Sequence, residues 1–207
     1  STGTNFVVES IIFALAGSAA LALAGSAKTV AQPVLVLGNG LRSVLGPRSM
    51  QAAAAKDRPA ARRVSRTFAG LTALAVVLYS ALAGWSWFLN PLASLVSQAY
   101  TIQGLVVLSI VAAGFNGAAF SPRMELIGGG RETALFRSEV VTNLVQLTVA
   151  TVAAALSSAV TNLGTFARPL AFATLGVSRN VLYGRALHDH YDPDRASPAP
   201  ATSGAPL

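Results

Sequence analysis

The chain has no cysteine, only two histidines and only eight acidic residues among 207. Without cysteine there is no disulfide framework, no thiolate metal site and no thiol nucleophile. His188 and His190 flank Asp189 near the C-terminal end. Three such residues in one short, solvated stretch are too few for a metal site. Acid, base and nucleophile nowhere fall into a catalytic pattern, so enzymatic activity is not expected, and no cofactor is implied. Charge of both signs is scarce. Only 11% of the residues are charged, against about 25% in soluble domains. Period-2 alternation is absent as well, which excludes a membrane β-barrel.

Apolar sequence is abundant. Hydrophobic residues make up 53% of the chain, and the mean hydropathy is +0.55. Six apolar segments cover residues 6–27, 29–46, 67–89, 99–120, 139–158 and 163–183. Each has 18 to 23 residues. That length crosses a hydrocarbon core of about 30 Å as a helix. The fold class expected is an all-α, polytopic transmembrane bundle of six helices over residues 1–187. A Pro- and Ala-rich tail, 188–207, is expected to be disordered. The chain begins Ser-Thr-Gly, with Glu9 and no positive charge ahead of its first apolar run. That start does not fit a signal peptide, and a missing upstream half is expected instead.

The net charge of +7 does not point to nucleic acid, because the cations sit between apolar runs rather than among aromatics. Residues 41–66 hold seven of the fifteen Lys and Arg residues and one acid, Asp57. Counted along the chain, alternate connections carry twelve Lys or Arg on one side and one, Lys28, on the other. The positive-inside rule then puts both chain ends in the cytoplasm. Lys28 is read as an outer-loop charge, and Trp85, Trp87 and Tyr100 as an interfacial aromatic belt. Gly46-Pro47-Arg48 and Ser121-Pro122-Arg123 are expected to stop two inward helices, each arginine meeting headgroups. Gly128-Gly129-Gly130 is read as a turn.

Polar groups at membrane depth carry the functional expectations, since they are costly there. Arg168 lies about 8 Å into the last segment, and Pro169 is expected to kink the helix beside it. Arg168 and Arg42 are the candidate binders of an anionic group such as a pyrophosphate. Snorkelling to headgroups is the plainer use of each. Glu9 is a candidate ion-pair partner of Arg42, or a proton site. Gln103, Asn116, Asn143, Gln146 and Asn162 are read mainly as interhelical hydrogen-bonding residues, and small residues such as those of AGSAALALAGSA as close-packing ones.

The stretches GLRSVLGPRSMQAAAAKDRPAARRVSR, LVSQAY, ELIGGGRETALFRSEVVTN and NLGTFARPLAF, in this order between helices, carry a resemblance. The chain resembles one six-helix lobe, the C-terminal one, of polysaccharide and O-antigen flippases in the multidrug/oligosaccharidyl-lipid/polysaccharide exporter superfamily, actinobacterial members above all. The resemblance covers residue 5 to about residue 187. It implies a two-lobed parent of about twelve helices in a bacterial cytoplasmic membrane. That parent flips a polyprenyl-diphosphate-linked oligosaccharide by alternating access, with Arg42 and Arg168 toward the diphosphate. One lobe cannot form the cavity, so a missing N-terminal lobe or a second copy is implied as partner, besides membrane lipids. A drug or cation exporter of the same superfamily and a non-transporting scaffold subunit are the alternatives.

Overall fold

The computed structural model describes residues 2–84, 90–160 and 162–192. Trp85, Trp87 and the tail from residue 193 onward lie outside the described residues. The described chain is an all-α bundle, with α1 (Thr2–Ala54), α2 (Arg58–Ala83), α3 (Pro91–Leu95), α4 (Leu105–Ala118), α5 (Phe120–Gly128), α6 (Glu132–Ala155) and α7 (Leu163–Tyr191). Short 3-10 turns at Ser97–Tyr100 and Leu156–Ser158 join α3 to α4 and α6 to α7. Four helical stretches are long and apolar enough to cross a membrane: Gly3–Ala54, Arg58–Ala83, Leu105–Gly128 and Glu132–Ala155. Exposed Leu74, Val77, Leu78 and Leu82 on α2, and Phe136, Val140 and Leu144 on α6, give them the apolar outer faces such a solvent requires.

The first two expected helices meet elsewhere than at Lys28. Within α1 the only non-helical residue is Gly17, at φ 86° and ψ 170°. That region is essentially open to glycine alone. The chain doubles back there, as Arg168 demonstrates. Its guanidinium pairs with Glu9 and also lies 3.7 Å from where a Cβ on Gly25 would stand. Glu9 and Gly25 would be about 24 Å apart along a straight helix. The α1 helix is therefore a hairpin of a short arm, 2–16, and a long arm, 18–54. With α4 and α5 forming one rod, six rods result among the described residues, though with boundaries unlike those expected. Lys28 lies inside the long arm and not in an outer loop.

The basic block 41–66 is largely helical, which corrects its reading as a loop. Pro47 does not end α1. The strong helix formers Ala52, Ala53 and Ala54 carry the helix on, with Ala52 and Ala53 buried. Only residues 55–57 turn. The Asp57 side chain then caps α2, accepting from the Ala60 N–H at 3.0 Å, and Pro59 occupies the first turn where its missing donor costs nothing. Pro122 likewise sits in the first turn of α5 and Pro169 within α7, and neither stops its helix. The α7 helix runs on through Pro169, with no non-helical residue there.

Glycine sets the spacing at two crossings. A Cβ on Gly176 of α7 would stand 2.8 Å from the backbone of Phe115 and Asn116, and one on Gly128 would stand 2.4 Å from the backbone of Met50. Asn116 uses the first approach to donate to the Phe172 carbonyl at 2.6 Å, the interhelical role expected of it. The Gly128–Gly130 turn is as expected, with Gly130 at φ 67°. It also seats the end of α7. His190 Nε2 lies 3.3 Å from the Ala53 carbonyl, and the Arg131 guanidinium donates to the Asp189 carbonyl at 3.2 Å. Residues 188–191 are thus helical and docked, contrary to the disordered tail expected from residue 188. Burial pushes the Tyr191 hydroxyl up to about 12, which keeps it protonated.

These contacts gather the 55–57 turn, the 129–131 turn and the end of α7 at one basic end of the bundle. Gly17, the 90–104 connection and the start of α7 lie at the other. Tyr100 closes that opposite end, donating to the Ala83 carbonyl at 2.7 Å.

Candidate functional site: a cation-bearing cavity between the hairpin and the last helix

The hairpin, α4, α6 and α7 enclose a cavity of about 160 Å³. Most of its wall is apolar: Val8, Ala24, Ala31, Leu35, Ala112, Ala113 and Phe172. Its polar groups are Glu9, Lys28 and Arg168, with Asn5, Ser109 and Gln146. Each reaches the cavity for a local reason. Arg168 stands one residue before Pro169 in the second turn of α7, with its side chain 16% exposed. Glu9 is on the short arm, which the glycine at 17 returns to this depth. Lys28 is on the long arm, within electrostatic reach of both Arg168 and Glu9.

Arg168 Nη2 donates to Glu9 Oε1. This corrects the expected pairing of Glu9 with Arg42. Nearby, Gln146 Nε2 donates weakly, at 3.5 Å, to Asn5 Oδ1. Two cations face one carboxylate, so the cavity carries one net positive charge among apolar walls. At low dielectric an excess charge favours an incoming anion.

Arg42 is not part of this cavity. It lies 17 residues beyond Gly25 on the long arm, about 26 Å along the helix toward the basic end. There its guanidinium carbon stands 5.7 Å from the centroid of the Phe120 ring, a cation–π arrangement. It lines an open groove with Asn39, Ser43, Met50 and Met124. Arg42 and Arg168, each expected as a contact of the diphosphate, occupy separate depths.

Comparison of the chain with protein-family models, with curated proteins and with solved structures gives no match.

Sequence reasoning missed two polar centres. Glu139 accepts from Arg179 Nη2 at 2.5 Å and from the fully buried Tyr183 hydroxyl at 2.6 Å, with Arg123 Nε 3.8 Å away. Arg123 is the arginine expected among the headgroups, and Arg179 counts among the cations of the cytoplasmic side. Both face Glu139 of α6, Arg123 from α5 and Arg179 from α7. The 40-residue separation of Glu139 and Arg179 left no local signal. Glu125 of α5 is the second. It is 4% exposed, inside the Leu105–Gly128 stretch, and its carboxylate makes no hydrogen bond or ion pair among the described residues. It falls outside the apolar segment 99–120 expected from the sequence.

Proposed function

We propose that this chain is a membrane-embedded lobe of a transporter that moves a polyprenyl-diphosphate-linked oligosaccharide across a bacterial cytoplasmic membrane by alternating access. One observation carries the reading: Arg168 and Lys28 meet in one apolar-walled cavity with a single counter-charge, Glu9. A diphosphate entering there takes Glu9's place on the guanidinium, since Arg presents a planar fork that fits phosphate oxygens two at a time. A cavity of 160 Å³ is below the about 300 Å³ of the smallest usual ligand pockets. It takes the diphosphate alone, while the glycan lies between this lobe and its partner and the lipid tail lies along exposed apolar helix faces. Arg42, with its groove at the basic end, meets the diphosphate on entry.

The test is made in the source cell with the full-length gene deleted and complemented by wild type, Arg168→Ala, Lys28→Ala or Arg42→Ala. Surface polysaccharide and cytoplasmic-leaflet precursor are measured together. Arg168→Ala and Lys28→Ala are expected to lose surface glycan and trap precursor inside. Full rescue by both variants sinks the diphosphate assignment. A second reading, cation export by the same superfamily, is favoured by the buried, unpaired Glu125. It predicts normal glycan, and retained cationic dye on Glu125→Gln.

A further inference from the structure

The first turns of α2 carry Arg58, Arg62, Arg63 and Arg66. With Pro59 they line an open groove of about 280 Å³ at the basic end of the bundle. Arg62, Arg63 and Arg66 are exposed, and none of the four makes an ion pair among the described residues. Arg58, Arg62 and Arg66 follow one another at four-residue spacing, so they form a stripe with steps of about 6 Å. Asp57, the acidic residue next in sequence, has its carboxylate occupied in capping Ala60.

This is an unfavourable place for four cations. The amino end of a helix carries about half a positive charge, so each arginine there is opposed by the helix as well as by its neighbours. The capping Asp57 carboxylate offsets part of this, but it is one negative charge against four guanidinia, and the first turn of α2 holds no acidic residue. An anion outside the chain would relieve both repulsions at once. The helix that carries the stripe is itself of membrane-crossing length and composition. Its basic end therefore lies where the headgroups of one leaflet begin, and the phosphates there are those of the lipid.

We infer that the Arg58–Arg66 groove is a docking site for the phosphate of an anionic glycerophospholipid in the leaflet at the basic end of the bundle. This rests on the helices crossing a membrane and not on the transport reading, so either can fail without the other. Two or three guanidinia converge on one lipid phosphate, and the lipid's acyl chains run along the exposed Leu71, Leu74 and Leu78 of the same helix. Bound in this way, the lipid holds the amino end of α2 at headgroup depth.

The full chain is purified in detergent and titrated with phosphatidylglycerol, phosphatidylcholine or inorganic phosphate, and bound molecules are counted by native mass spectrometry. Phosphatidylglycerol is expected to bind in preference to phosphatidylcholine. Each of Arg62→Gln, Arg63→Gln and Arg66→Gln should weaken it about tenfold, the loss expected when one charge-assisted hydrogen bond to the phosphate is removed. The control pair Arg137→Gln and Arg185→Gln, exposed cations on α6 and α7, should change binding less than about twofold in total. An equal loss per charge in the control would overturn the inference, because a diffuse field would then explain everything. Inorganic phosphate binding as tightly as the lipid would overturn it too. Helicity by circular dichroism checks the folding of each variant. A triple Arg→Lys variant at 62, 63 and 66 keeps the charge and should keep the lipid, and losing it as completely as the triple Gln variant would also count against the site.

Discussion

Arg168 meets Glu9 across 159 positions of sequence. The pair is partly screened, with the Glu9 side chain 36% exposed, so its contribution lies well below that of a fully buried ion pair. Single variants Glu9→Ala and Arg168→Ala and their combination should show a coupling of about 1–2 kcal/mol when thermal unfolding is followed in detergent. The double variant is expected to be less destabilised than the two single losses added together, since removing Glu9 alone leaves a guanidinium without its counter-charge. Additive losses would mean that the pair does nothing for stability. Arg168 was recognisable as a residue out of place in an apolar run, because burying a charge is costly wherever the fold puts it. Its partner was not recognisable. Arg42 and Arg168 looked equivalent as isolated cations, and only packing distinguishes a cavity residue from one lying over the Phe120 ring.

At the scale of elements, the chain offers the tetrapeptide Ala-Gly-Ser-Ala twice, at 16–19 and 24–27. Gly17 in the first copy adopts φ 86°, while the second copy remains helical. Local propensity cannot separate identical tetrapeptides. What separates them is that the break at 17 lets Val8 and Ile12 bury against Ala150, Ala154 and Ala171. Lys28 drew the expected boundary toward itself because a charge suggests a loop, whereas here the charge serves the cavity. Spin labels on Ser10→Cys and Ser26→Cys measure this directly, and the chain has no native cysteine to interfere. The hairpin puts the two helix axes about 10 Å apart, whereas an unbroken helix would separate the labelled positions by about 24 Å. A distance distribution centred near the longer value would remove the hairpin and the cavity with it.

Across the whole molecule, the distribution of charge and the packing agree on one polarity. The end of α7, the turn after Gly128 and the amino end of α2 come together, and they carry most of the described arginines. We propose, on the positive-inside rule, that this is the cytoplasmic end. In intact cells a membrane-impermeant maleimide is expected to label Gln98→Cys at the opposite end directly. Lys56→Cys should be labelled only after the membrane is opened. The reverse pattern would invert the orientation and move the lipid-docking groove to the outer leaflet.

By itself the sequence determined the all-helical class, the number of rods, the glycine turn at 128–130 and the gathering of cations at one end. These follow from run length, hydropathy and charge counts, which act through the solvent and need no knowledge of which rod touches which. Only the tertiary structure decided where the first hairpin turns, that Pro47 and Pro122 lie within helices, and which ionic groups share a cavity. Those outcomes depend on contacts between residues 40 to 160 positions apart. Helices of similar apolar composition present no local feature that says which faces will meet, and close packing at Gly128 and Gly176 settles it.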